Sequence, residues 1–139
     1  MGQPVAKVWA YLADFTTTEE WDPPTVSTVR LSGEGGVGTT YANVSSFLGH
    51  ETETKYVVTE HEVGRRLQLE GDAGSVKVLD TMTFESSVDD AGVGETTVLY
   101  RSEFHPVGVA KLVEPLLPPA LKILGDKVAK SLEERLNAL

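Results

Sequence analysis

Residues 107–139 read VGVAKLVEPLLPPALKILGDKVAKSLEERLNAL. From Leu117 the apolar residues recur at Leu121, Leu124, Val128, Leu132 and Leu136, steps of three and four that line up on one stripe of a helix. Lys122, Asp126, Lys127, Lys130, Glu133 and Glu134 fill the opposite side. A long helix with one apolar face needs a broad apolar partner, and the strand-like region from Val26 to His105 supplies one. The expected fold is therefore α+β: a curved antiparallel sheet closed by a C-terminal helix. Pro115, Pro118 and Pro119 interrupt the helical pattern, because proline lacks an N–H and disfavours helical geometry in the residue before it. The spacing predicts a short helix near Val109–Glu114, a break, and a main helix from about Pro119.

Working back from that helix, the apolar period is two. Runs over Val26–Leu31, Thr39–Phe47, Glu51–Thr59, Arg66–Glu70, Ser75–Glu85 and Glu95–His105 are bounded by glycine-bearing turns and predict a six-stranded meander. Alternation assigns the faces. Thr52, Thr54, Tyr56 and Val58 point inward on the third run, Val76, Val78, Asp80, Met82 and Phe84 on the fifth, and Val98, Tyr100, Ser102 and Phe104 on the sixth. Tyr41, Asn43 and Phe47 share a face of the second.

Ahead of the sheet, Pro4 to Phe15 reads as a helix, with Pro4 in the first turn and Val5, Val8, Trp9 and Leu12 on one stripe. Thr16 with Glu19 and Thr17 with Glu20 match the capping-box spacing, so one further helical turn is expected before Pro23 and Pro24. Trp9 is expected in the core. Trp21 falls where the helices hand over to the sheet, either beside a pocket or as a staple between the two.

At 139 residues and 40% hydrophobic content the chain suits a single domain over residues 1–139. The absence of cysteine excludes disulfides and thiolate metal sites. No apolar run approaches the ~20 residues that cross a bilayer. MGQPVAKVW lacks a signal-peptide pattern, and Ala6 stands where a myristoylation motif needs Ser or Thr, so a soluble cytoplasmic protein is the expectation. A net charge of −9 without basic clusters argues against nucleic acid and anionic membrane surfaces as partners.

Several formal motifs dissolve in context. Gly33-Glu34-Gly35-Gly36-Val37-Gly38 matches G-x-G-x-x-G, but a strand pattern follows it where a dinucleotide site needs a helix N-terminus, so it reads as a hairpin turn. Asn43-Val44-Ser45 is a glycosylation sequon without a secretory context. His50, His61 and His105 are scattered over turns and strand ends with no metal-ligand spacing, and no metal or cofactor is expected. No G-x-S-x-G elbow marks a nucleophilic serine. Asp80 stands out, because a carboxylate on an apolar inward face is costly unless paired, protonated or turned outward by a bulge.

The short helix pair, Val8–Phe15 (VWAYLADF) with the Glu20-Trp21-Asp22-Pro23 junction, resembles the START-like superfamily. So do Gly36-Val37-Gly38-Thr39, Gly94–Tyr100 (GETTVLY) and the final helix. This is the helix-grip fold of the polyketide cyclase/dehydrase and lipid-transport proteins, and the likeness spans nearly the whole chain. It implies a cavity between sheet and terminal helix. Family members carry a strand before the first helix, where only Met1, Gly2 and Gln3 precede Pro4 here; a six-stranded sheet with an exposed edge, open to pairing with a second copy, is the expectation.

On that frame the expected role is binding or transport of a small hydrophobic, lipid- or polyketide-like molecule. The lining would come from Trp21, Tyr41, Asn43, Phe47, Tyr56, Val78, Asp80, Met82, Tyr100, Ser102, Leu116, Leu117 and Leu121. The enzymatic alternative is a cyclase, aromatase or dehydratase with Asp80 as base and Tyr56 or Tyr100 as proton donor or oxyanion partner. A third reading, a protein-interaction module, predicts no ligand cavity. Val109–Leu117 would form a looser segment over the pocket, through which a ligand passes.

Overall fold

The switch of period at Val26 marks the boundary between helix and sheet in the computed structural model, which describes residues 3–47, 50–74, 76–88, 92, 94–106 and 128–139. Helix α1 spans Val5–Leu12, a short 3₁₀ turn covers Phe15–Thr17, and α2 spans Thr18–Trp21. Six strands follow: β1 (Thr25–Ser32), β2 (Thr40–Phe47), β3 (His50–Glu62), β4 (Arg66–Asp72), β5 (Val76–Val88) and β6 (Gly94–Pro106). All pair antiparallel in the order β1-β2-β3-β4-β5-β6, the meander that the glycine turns predict. A third helix, α3, covers residues 128–137. The expected short helix at Val109–Glu114, the break after it and the start of the main helix lie outside the described residues, as do Leu116, Leu117 and Leu121.

One side of the sheet carries the core. Leu67 and Leu69 of β4, Val78, Met82 and Phe84 of β5 and Val58 of β3 are buried on it, and Val8, Trp9 and Leu12 of α1 lie in the same cluster. From α3, Leu132 and Leu136 complete the core and Val128 packs at its margin. Each leucine so buried contributes about 1.5–3 kcal/mol relative to an exposed one. Trp9 meets Phe84 edge-on with ring centroids 5.1 Å apart, and Phe15 meets Tyr56 edge-on at 5.0 Å. Across the closure, Arg135 Nε donates to the Glu20 carbonyl at 3.0 Å and Gln3 Nε2 to the Leu139 carbonyl at 2.9 Å. No helix among the described residues is long and apolar enough to cross a membrane.

Four local expectations are corrected. First, α1 ends at Leu12 rather than Phe15. Second, neither threonine forms a capping box. The Asp14 carboxylate accepts from the Thr16 N–H at 3.1 Å and caps the 3₁₀ turn, while the Thr17 hydroxyl turns back to the Tyr11 and Asp14 carbonyls. Asp14 thus takes the Thr16 N–H that the Glu19 side chain would need for the box, and it also accepts from the Thr16 hydroxyl at 2.6 Å. Third, Thr52 is exposed rather than inward, and Phe104, though on the inner side, is 38% exposed. Fourth, a bulge between Val58 and Glu60 shifts the alternation of β3 by one residue. His61, at the end of β3, then pairs with buried Leu67 and packs against Trp9 at 5.2 Å on the inner side of the sheet.

The G-x-G-x-x-G segment is the β1–β2 connection. Gly33 takes φ +87°, and a Cβ there would lie 2.5 Å from Thr39 Oγ1. The backbone N–H of Gly35 donates to that same hydroxyl at 2.9 Å, so the glycines serve a tight hairpin loop folded over Thr39.

Candidate functional site

Alternation places Asp80 at the middle of the inner face of β5, and the structure leaves it 3% exposed. In register it stands between Leu69 of β4 and Ser102 of β6. Ser102 Oγ donates to Asp80 Oδ1 at 2.5 Å. Tyr100, two residues earlier on β6, and Tyr56 on β3 lie near enough to this carboxyl for their hydroxyls to favour its charged form. Burial outweighs these donors and pushes the Asp80 carboxyl up to about 7, so both protonation states are populated near neutrality.

A second carboxyl converges on the same region. Asp22, from the Glu20-Trp21-Asp22-Pro23 junction, is held above the usual carboxylate range by burial, partly offset by the Thr25 hydroxyl, which donates to Oδ2 at 2.6 Å. Its charge raises Asp80, and the two carboxyls add to burial in holding Tyr56 and Tyr100 well above the ordinary phenol value. Both tyrosines therefore remain neutral O–H donors at physiological pH. Trp21, 1% exposed, anchors this end by donating its indole N–H to Thr17 Oγ1 at 3.2 Å and by meeting Tyr100 edge-on at 5.6 Å.

Beside this cluster runs a chain of neutral groups. Asn43 Nδ2 donates to Thr28 Oγ1 at 2.8 Å and more weakly to Thr25 Oγ1 at 3.4 Å, while Ser45 Oγ donates to Asn43 Oδ1 at 2.7 Å. Thr28 and Thr18 share a hydroxyl contact at 2.6 Å. The amide of Asn43 is thus engaged by its own neighbours. Tyr41, 1% exposed, tilts against Phe15 at 5.6 Å.

Of the residues singled out in the sequence, Asp80, Tyr56, Tyr100 and Ser102 come together around one carboxyl, with Trp21 against Tyr100. Tyr41 and Asn43 lie further along the inner face on β2, and Val78 and Met82 flank Asp80 along β5. Phe47 closes β2; its side chain, and Leu116, Leu117 and Leu121 entirely, lie outside the described residues. Asp22 and Thr25 are additions: Asp22 lies ahead of the sheet, and Thr25 opens β1 just before a register shift. The only sequence signal for Asp22 is its place in the junction ahead of Pro23. At this end several inward-facing groups, Thr25, Val76, Tyr100 and Ser102, are only partly buried. Among the described residues, no group of three or more His, Asp or Glu is arranged to hold a metal ion.

The chain belongs to the polyketide cyclase / dehydrase and lipid transport family, whose model matches residues 3–137. No curated protein sequence matches it. Among solved structures, TTHA0849 from Thermus thermophilus superposes with a TM-score of 0.76 at 18% identity, covering 99% of this chain and 92% of the other. The Zhui aromatase/cyclase from Streptomyces sp. R1128 gives 0.71 at 15% identity, covering 97% and 90%. DR_A0006 from Deinococcus radiodurans gives 0.66 at 16%, covering 100% and 93%. At these identities the likeness is one of fold, and that fold is the helix-grip.

Proposed function

We propose that the protein binds a small, mostly apolar molecule between the inner face of the sheet and the C-terminal helix, with the molecule's polar end at Asp80, Tyr56, Tyr100 and Ser102. The observation that carries this reading is a buried carboxyl in an otherwise apolar interior, which accepts a hydrogen bond from Ser102 and has Tyr56 and Tyr100 beside it. A core built for stability alone gains nothing from such a group, because burying a carboxyl costs free energy that packed aliphatic side chains would not. The partial exposure of the neighbouring inward-facing residues supports access for a ligand at the same end. The family's description, which joins polyketide chemistry to lipid transport, fits an apolar guest.

Native mass spectrometry of the purified protein, followed by organic extraction, tests the reading. An adduct that disappears on extraction and whose occupancy falls in Tyr56→Phe is expected. Repeated preparations without any adduct, together with no binding of lipid-like probes, would overturn it.

A second reading, catalysis on a polyketide-like substrate, is favoured by one feature. A carboxyl titrating near neutrality beside two neutral phenols provides a base and proton donors in one place. Turnover of a linear poly-β-ketone surrogate, lost in Asp80→Asn, distinguishes an enzyme from a carrier.

A further inference from the structure

Tyr56 and Asp80 sit on β3 and β5, with β4 between them. Two strand spacings amount to roughly 9–10 Å, so the Tyr56 side chain reaches Asp80 only by passing over β4. The residue of β4 opposite Tyr56 is Gly71, and the residue of β5 opposite Gly71 is Val78, two positions before Asp80 on the same face. A Cβ at residue 71 would lie 2.7 Å from Tyr56 Cε1, 3.0 Å from Cδ1 and 2.9 Å from Thr54 Cγ2. Carbon atoms do not approach so closely. The backbone offers no competing reason for glycine, since Gly71 is absent from the residues with positive φ and lies within a paired strand. Glycine in a strand interior weakens the strand and marks a close approach of another group.

We propose that Gly71 is a positioning residue of the candidate site: the space left by its missing side chain lets the Tyr56 ring cross β4 and bring its hydroxyl to the Asp80 carboxyl. Any larger residue at 71 tilts the ring away and takes the Tyr56 hydroxyl away from that carboxyl. The packing is independent of any guest, and only its bearing on recognition rests on the binding role proposed above.

The test is a carboxyl-carbon NMR titration of Asp80 in ligand-free protein. The other titratable groups facing it are Asp22, from the α2–β1 junction, Tyr56 and Tyr100, and they are unchanged apart from the variants. Because the Tyr56 hydroxyl favours the ionised form, Tyr56→Phe raises the Asp80 midpoint. Gly71→Ala raises it in the same direction and by a comparable amount, and the double variant shifts it no further than Tyr56→Phe alone. A folded Gly71→Ala protein with the parental midpoint overturns the proposal, as does a double variant whose shift is the sum of the two. If Gly71→Ala does not fold, the combination of Gly71→Ala, Tyr56→Ala and Thr54→Ser removes both groups that the new methyl meets and restores folding; failure of that rescue overturns the proposal too. The titration needs no ligand, so its outcome and that of the extraction experiment stand separately.

Discussion

Ser102 and Asp80 face each other in direct register across the β5–β6 pair, and the serine hydroxyl donates to the carboxylate at 2.5 Å. A donor so placed stabilises the anion more than the neutral acid. Ser102→Ala therefore moves the Asp80 midpoint above its value of about 7. The same carboxyl-carbon titration reads this shift, and an unmoved midpoint would show that the Ser102 hydroxyl has no part in setting it.

Stability should carry the mark of the same carboxyl. Its folded-state value of about 7 lies above the ordinary 3.8, so the folded protein holds this proton more tightly than the unfolded chain. The resulting stabilisation is complete below about pH 4 and is lost as pH rises through about 7, at up to about 1.4 kcal/mol per pH unit. Asp80→Asn lacks this dependence. Denaturant unfolding of both proteins from pH 4 to 8 should show the parent losing a few kcal/mol relative to the variant, while a constant difference across the range would contradict the assignment.

Tyr11 presents a different case. Its hydroxyl oxygen is buried with no hydrogen-bond partner among the described residues. Removing an unsatisfied polar atom is neutral or favourable, so Tyr11→Phe should leave stability unchanged or raise it by about 1 kcal/mol. A clear drop in the denaturation midpoint would reveal a partner for the hydroxyl.

Leu136 of α3 is fully buried. Leu136→Ala should cost about 2–5 kcal/mol, the range for a leucine cavity that collapses incompletely. Thermal denaturation measures it, and a cost under about 1 kcal/mol would mean that α3 packs far more loosely than its burial implies.

The sequence carried the sheet, its order and the inward direction of Asp80, Tyr56, Tyr100 and Ser102, because strand alternation is a local property that each run states independently. It did not carry their convergence. That Tyr56 meets Asp80 depends on the registers of β3 with β4 and of β4 with β5, and on a glycine whose role is visible only beside its neighbours. Asp22 was illegible for a similar reason, since it lies in a turn, where no period assigns a face. At Thr16 the box failed because the Asp14 carboxylate takes its N–H and its hydroxyl, and at Thr17 because the hydroxyl turns back to the Tyr11 and Asp14 carbonyls. The bulge after Val58 left no signature in the sequence, so alternation does not predict that His61 turns inward against Trp9.

The meander has a kinetic corollary. Every strand pairs with its sequence neighbour, so the sheet can zip together one hairpin at a time at small loop-closure cost. The bonds Gln3–Leu139 and Arg135–Glu20, in contrast, span almost the whole chain. Until α3 is seated, Leu132 and Leu136 are missing from the core that the sheet and α1 build. The seating of that last helix is thus the step that closes the largest loop of the fold.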